Sequence, residues 1–104
     1  MRKLFIYLVI IPGLLFISCD KKEPLSKVVQ RGLDISTRQS IYLAGELENQ
    51  MEILPRTYAN NELKTAGYKS WISGFFPGVL WYLYENDSLT EIRKYAELYT
   101  ARVE

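Results

Sequence analysis

The chain has 104 residues, enough for one small domain, and its 13 Lys and Arg residues nearly balance 12 Asp and Glu residues. This balance lacks the basic excess of nucleic-acid-binding domains, so no nucleic-acid partner is expected. The sequence has no histidine and one cysteine, which excludes an internal disulfide, most zinc sites and every triad that needs an imidazole base. No metal or cofactor is expected, and the 13% aromatic content indicates either a dense core or a binding surface.

The first segment has the layout of a secretory signal. A basic pair precedes an apolar run over residues 4–17, and Ser18 lies directly before Cys19. A membrane-spanning helix needs about 20 apolar residues, and this run is shorter and is broken at Pro12. Residues 16–19, Phe-Ile-Ser-Cys, resemble a bacterial lipobox.

The lipobox resemblance implies a signal peptide over residues 1–18 and acylation of the Cys19 thiol, which makes Cys19 the lipid anchor. Residues 19–27 would then form a tether at the membrane surface. We therefore expect a lipid-anchored protein of the cell envelope, in the periplasm or on the outer-membrane surface. An ordinary signal peptide that ends near a cysteine is the alternative interpretation.

The rest of the chain is predicted to be helical. Apolar residues recur at steps of three and four from Leu25 to Leu54, which predicts a helix that Pro55 ends. Residues 55–70 show no period and contain two adjacent asparagines, which predicts a loop. Residues 74–85 form the densest apolar stretch and predict a second helix with a proline in its first turn, although a strand competes.

A third helix is predicted near the end of the sequence. Ser88-Leu89-Thr90-Glu91 has the capping-box pattern, and apolar residues from Ile92 to Val103 mark one helical face. No stop signal follows before Glu104, which favours a chain cut within a larger fold. The second helix is apolar on nearly every side, so we expect the isolated mature chain to fold poorly or to aggregate.

Two segments resemble glycoside hydrolase family 88, the unsaturated glucuronyl hydrolases. They are Pro-Arg-Thr at residues 55–57 and Trp-Ile-Ser-Gly-Phe-Phe-Pro-Gly-Val-Leu-Trp-Tyr-Leu-Tyr-Glu at residues 71–85. The helix before them is similar to the first helix of Bacteroidetes members. The resemblance spans residues 28–104, and it implies an all-α fold in which this region forms the first helices of an (α/α)6 toroid, a six-hairpin ring.

The resemblance also implies an activity. Family members remove Δ4,5-unsaturated uronic acid from lyase-generated oligosaccharides by hydration of the double bond, which a carboxyl group protonates. One of their key aspartates lies in a His-Asp-x-Gly-Phe stretch, and a second lies further along the chain. This sequence has neither context, so no catalytic residue is expected in it, and the unsaturated uronyl oligosaccharide would be a partner of the full-length enzyme.

Trp71 is the candidate substrate-binding residue. It matches a family position at the mouth of the sugar pocket, where the indole can stack on a pyranose ring, and a core tryptophan is the alternative. Gly74 and Gly78 are expected to permit close helix approach, and Asp87 to be a turn residue. Arg56 could hold a carboxylate, but an exposed loop arginine is the commoner case. Packing roles are expected for four further aromatic residues, Phe75, Phe76, Trp81 and Tyr84.

Three hypotheses remain open. The chain is the N-terminal part of a glucuronyl hydrolase and inactive alone, or it is a small lipid-anchored helical module that binds glycan or protein. It could also be an enzyme subunit that a second polypeptide completes. The open-ended last helix and the apolar second helix favour the first hypothesis.

Overall fold

The computed structural model describes residues 21–104, which form three helices and one β-hairpin. The prediction that this region is all-α, as the opening helices of a toroid, is wrong, because the described residues are mixed α/β. The signal peptide and the anchor Cys19 lie outside the described residues. The elements in chain order are α1 (Leu25–Glu46), β1 (Ile53–Ala59), β2 (Glu62–Gly67), α2 (Phe75–Asp87) and α3 (Thr90–Ala101).

The hairpin occupies the segment that was predicted to be a loop. Asn60 and Asn61 have φ angles of 54° and 59°, the left-handed values that a two-residue hairpin turn requires and that asparagine adopts more readily than most residues. Ala59 pairs with Glu62 across this turn. Pro55 is tolerated in β1 because a two-stranded sheet consists only of edge strands.

A β-bulge interrupts the pairing of β1 with β2. Pro55 pairs with Thr65 and Thr57 pairs with Lys64, so Arg56 is an extra residue on β1. A bulge of this kind bends the strand and redirects its side chains.

Helix α1 is shorter at its C-terminal end than predicted. It begins after Pro24, whose carbonyl accepts the amide of Lys27 at 3.0 Å, and it ends at Glu46 rather than at Leu54. Residues 47–52 form turns that lead into β1. The periodicity continued beyond Glu46 because these turns and the start of β1 also supply apolar side chains to the core.

The core lies where the C-terminal half of α1 meets β1, α2 and α3. Tyr99 of α3 lies at its centre, fully buried, and donates its hydroxyl to the Ala44 carbonyl of α1 at 2.7 Å. The Phe76 ring of α2 packs edge-on against it, with 4.9 Å between ring centroids. Burial raises the pKa of Tyr99, so its hydroxyl stays a donor. The buried apolar residues are Ala44, Leu47, Leu54, Leu80, Leu83, Ile92, Tyr95, Ala96 and Tyr99.

Arg102, just after α3, is buried and binds the turn between α1 and β1. Its guanidinium donates to the carbonyls of Leu47 at 3.2 Å, Glu48 at 2.6 Å and Ile53 at 3.1 Å. The same group lies 4.1 Å from the centroid of the Tyr99 ring. Arg102 therefore fixes the path of the turn on the end of α3.

The junction between α2 and α3 differs from the predicted capping box. Ser88 has a φ angle of 52° and gives its amide to the Tyr84 carbonyl at 2.7 Å, so it ends α2. Leu89 holds the N-cap position of α3, which has no side-chain cap. The capping-box prediction is wrong because the serine lies one residue too early. Glu91, in the first turn of α3, still places a negative charge near the helix N-terminus.

The close helix approach predicted at Gly74 and Gly78 is also wrong. A Cβ added at either position meets no atom within 4 Å. The tight contact lies at Gly45 of α1, where an added Cβ would lie 3.3 Å from the Tyr95 hydroxyl. The glycine that admits a neighbouring helix is therefore on α1.

Replacing Arg102 with alanine tests its role in the fold. The variant removes three hydrogen bonds to backbone carbonyls and the contact with Tyr99, so we expect it to lose about 3 kcal/mol of unfolding free energy. Urea denaturation followed by circular dichroism measures the loss. Arg93→Ala, which removes an exposed arginine paired with Glu97, is the control and should change stability far less. Equal midpoints for the two variants would contradict the role of Arg102.

Candidate functional site

Helix α2 leaves one apolar side in solvent. Its buried side consists of Pro77, Leu80 and Leu83, which face the core. Phe75 and Tyr82, 67% and 63% exposed, lie with the exposed Val79 on the other side. We call these three residues the α2 outer face. Phe75 was expected to pack inside, and that prediction is wrong.

Trp71 lies in the turn before α2 and is 88% exposed. Its ring meets the Phe75 ring edge-on, with 6.3 Å between centroids and an angle of 76° between planes. The alternative interpretation of Trp71 as a core residue is therefore wrong. An indole in this position offers most of its surface to a ligand.

The other tryptophan has a structural role. Trp81 is half-buried on α2, and its Nε1 donates to the Thr100 hydroxyl of α3 at 2.9 Å. Its ring also meets Tyr84 edge-on, with 6.1 Å between centroids. The packing roles expected for Phe76, Trp81 and Tyr84 are confirmed, since all three are half-buried against the core.

A groove of about 620 Å³ runs between α1 and the hairpin, and we call it the α1–hairpin groove. Sequence reasoning did not find it, although the spacing of its α1 residues places them on one helix face. Arg56, expected to be an exposed loop residue, is exposed but belongs to β1 and is one of the lining side chains. The lining residues are Gln39, Tyr42, Leu43, Glu46, Pro55, Arg56, Thr57, Tyr58, Leu63 and Phe76.

An ion pair links the turn after α1 to α3. Lys94 Nζ lies 2.8 Å from Glu48 Oε1, and this hydrogen bond lowers the pKa of Glu48 and raises that of Lys94. Tyr95 packs beside the pair, and burial raises the pKa of its hydroxyl. At neutral pH the Glu48 carboxylate is ionised, Lys94 is protonated and the Tyr95 hydroxyl is neutral. The shifts strengthen these usual states, so we assign the cluster a role in stability and not in proton transfer.

A second cavity, of about 550 Å³, lies near the end of α2 and includes Arg38 and Asp34. Two of its lining residues are hydrogen-bonded to each other, since the Thr37 hydroxyl donates to Asp87 Oδ2 at 2.7 Å. Asp87 was expected to be a turn residue, but it is the last residue of α2 and joins that helix to α1. Its carboxylate is therefore engaged in holding two helices together.

In the part of the chain that the structure describes, no group of three acidic, histidine or cysteine side chains could hold a metal ion. Among residues 21–104, no helix combines the length and apolarity needed to cross a bilayer. Comparisons with protein-family models, with curated proteins and with solved structures give no match. The resemblance to unsaturated glucuronyl hydrolases, and Trp71 as a substrate-binding residue, therefore stay predictions.

The Glu48–Lys94 pair predicts a specific pH dependence. Because the folded chain lowers the pKa of Glu48 below its ordinary value of 4.5, the ionised group stabilises the fold above that pH. That stabilisation disappears as the pH falls through the lowered pKa. We expect Glu48→Gln to be less stable than the parent chain at pH 7, and the difference to vanish on acidification.

Urea denaturation midpoints at a series of pH values measure this difference. Glu52→Gln is the matched control, because Glu52 has no ion-pair partner among residues 21–104. Added salt should also reduce the effect of Glu48→Gln, since the pair is exposed. A difference that persists unchanged at low pH would contradict the assigned role.

The α2 outer face predicts self-association. We expect the polypeptide of residues 21–104 to aggregate at micromolar concentration, because the three large apolar side chains of this face are exposed to water. Tyr82→Lys should raise the monomer fraction in analytical ultracentrifugation. Gln50→Lys adds the same charge at an exposed position in the turn after α1, away from this face, and it should have no such effect. A monomeric parent chain with a sharp thermal transition would contradict the prediction.

Proposed function

We propose that this chain is the N-terminal part of an unsaturated glucuronyl hydrolase and supplies an aromatic surface for its sugar substrate. The observation that carries the proposal is Trp71, whose exposed indole lies at the start of the block that resembles the family. The full enzyme would remove Δ4,5-unsaturated uronic acid from oligosaccharides that lyases have cut.

The surroundings of Trp71 support a sugar-binding role. The Phe75 ring lies edge-on to the indole, and the indole has no other partner among the described aromatic rings. Indole faces bind the apolar C–H face of a pyranose ring, and most of this indole is open to solvent. The turn before α2 therefore presents a surface suited to a sugar ring.

The proposed reaction needs an acid outside the residues described. Hydration begins when a carboxyl group gives a proton to C4 of the unsaturated ring and water adds at C5. The hemiketal then opens and releases the rest of the oligosaccharide. Asp34 and Asp87 accept hydrogen bonds from Gln30 and Thr37, and neither belongs to the Trp71 turn. We therefore assign binding, and no proton transfer, to this part of the chain.

A second candidate is a lipid-anchored module that binds glycan or protein. The closed core around Tyr99 and Arg102 favours it, because that core needs only the elements already described. The coding DNA separates the two candidates. A downstream stretch for His-Asp-x-Gly-Phe, in frame or after one frameshift, supports the hydrolase, and a stop codon followed by an unrelated gene supports the module.

Binding of an unsaturated uronyl disaccharide tests the role of Trp71. The full 104-residue chain, purified in detergent micelles, should bind the disaccharide in isothermal titration calorimetry. Trp71→Ala should bind it roughly tenfold more weakly, which corresponds to about 1.4 kcal/mol. The ultraviolet absorbance of the C=C–O group should stay constant, because no catalytic acid is assigned to this chain.

Trp81→Phe is the matched control, since it removes the half-buried indole and leaves Trp71 as the only one of the two tryptophans. In that variant the tryptophan fluorescence comes from Trp71 alone, and it should change when the disaccharide binds. Unchanged affinity in Trp71→Ala would remove the support for a sugar-binding surface. Turnover of the disaccharide by the purified chain would overturn the assignment of the acid to another part of the enzyme.

A further inference from the structure

The first turns of α1 extend away from the core. Every residue from 21 to 32 is exposed, and the first buried residue of the helix is Thr37. The core packs against the C-terminal half of α1, around Ala44 and just beyond it at Leu47. Residues 25–32, roughly two turns of helix, are therefore surrounded by water rather than by other elements of the described chain.

One side of this exposed part of α1 is apolar. Leu25, Val28, Val29 and Ile35 are 77%, 43%, 51% and 40% exposed. At 100° per residue they fall within about one third of the helix circumference, so we call these four residues the α1 stripe. The side that carries Thr37 toward the core lies about a third of a turn away, so the stripe does not continue the core-facing side.

The charges of the chain are divided unevenly along its length. Residues 21–38 contain five basic and two acidic residues, which gives a net charge of +3. Residues 39–104 contain six basic and nine acidic residues, which gives −3. An asymmetry of this kind indicates that one end of a protein meets an anionic surface, which the opposite charge of the rest keeps at a distance.

Basic side chains lie beside the α1 stripe. Lys27, Arg31 and Arg38 are exposed and follow one another at steps of four and seven, which places them along one side of α1 next to the stripe. Arg31 pairs with Glu23 at 2.8 Å, whereas Lys27 and Arg38 form no ion pair within residues 21–104. Two cations next to the stripe thus keep their charge for a partner.

We propose that the first turns of α1 lie on an anionic lipid surface. The α1 stripe would enter the boundary between headgroups and acyl chains, as the apolar side of an interfacial helix does. Lys27 and Arg38 would reach the lipid phosphates while their methylene stems cover apolar surface. The apolar stripe distinguishes this partner from a nucleic acid, whose phosphates border no apolar layer.

The charge pattern favours lipid over a second copy of the chain. Two α1 stripes packed against each other would bring together two segments with a net charge of +3 each, and like charges at close range repel. An anionic lipid surface supplies the opposite charge along the whole stripe. It also covers the apolar side chains without requiring a complementary protein shape.

The predicted lipid anchor agrees with this location. Leu25 lies six residues after Cys19, and six residues of fully extended chain span at most about 21 Å. An acylated Cys19 would therefore keep the first turn of α1 close to the headgroups. An anchor at one residue leaves the orientation of the protein free, whereas a bound α1 would fix it. The proposal does not depend on the proposed hydrolase.

Hydrogen–deuterium exchange of the full 104-residue chain in vesicles tests the proposal. One set of vesicles contains equal parts of phosphatidylglycerol and phosphatidylcholine, and the other contains phosphatidylcholine alone. We expect amides 28–36 to exchange about tenfold more slowly in the anionic vesicles. Amides of β2 should exchange equally in both, and added salt should reduce the difference in α1.

Val28→Glu and Gln30→Glu are the matched variants. Each adds one negative charge to the same turn of α1, but Gln30 lies on the side opposite the stripe and bonds to Asp34. Val28→Glu should abolish the slow exchange, and Gln30→Glu should keep most of it. Far-ultraviolet circular dichroism in the vesicles checks that α1 stays helical in both.

A second pair of variants tests the charge. Joint replacement of Lys27 and Arg38 with glutamine should remove most of the difference between the two kinds of vesicle. Lys69→Gln, which removes an exposed lysine after β2, should leave it unchanged.

Equal exchange of α1 in the two kinds of vesicle would overturn the proposal, as would equal losses in Val28→Glu and Gln30→Glu. Slow exchange that disappears when the protein is diluted in the same lipid would also overturn it, because a second copy would then cover the stripe.

Discussion

Arg102 carries a positive charge into the interior without a carboxylate partner. Its guanidinium meets three backbone carbonyls in the turn between α1 and β1, and it lies over the Tyr99 ring. A buried cation is costly unless it is hydrogen-bonded, and the two terminal nitrogens of Arg102 meet that need at these carbonyls, whereas its buried Nε has no partner among the described residues. The carbonyls in turn gain a donor beyond the end of α1. Tyr99 adds a bond to the Ala44 carbonyl, so two residues of the α3 segment hold both α1 and the turn.

The position of the hairpin depends on that contact. The turn leads directly into β1, and Leu54 is the only strand residue in the buried core. The remaining residues of the hairpin are partly or fully exposed, so their packing alone gives little control over where it lies. The α1–hairpin groove has β1 as one wall, and Arg102 binds the carbonyl of Ile53 at the start of that strand. The polar side chains of the groove contribute little to the fold and remain available for binding.

Local signals in the sequence predicted the helices and missed the hairpin. The proline in the first turn of α2 and the apolar face of α3 are short-range patterns, and both predictions are confirmed. Asn60 and Asn61 form a weaker turn signal than Asn-Gly, and Pro55 argued for a break rather than an edge strand. The turn that follows the early end of α1 is bound by Arg102, 55 residues beyond Leu47, and periodicity cannot show such a long-range contact. The groove was missed for the same reason, because Tyr42 and Tyr58 line one groove only when the hairpin folds back on α1.

The aromatic content is divided between stability and exposed surfaces. Tyr95 and Tyr99 are buried, whereas Trp71 and the α2 outer face lie in solvent, as do the two tyrosines of the groove. Exposed rings of this size do not stabilise the described fold, since they bury little area within it. Large aromatic residues at exposed positions lower the solubility of a protein. The core around Tyr99 and Arg102 makes no use of the exposed rings, so the residues that stabilise this fold and those available for binding can be changed separately.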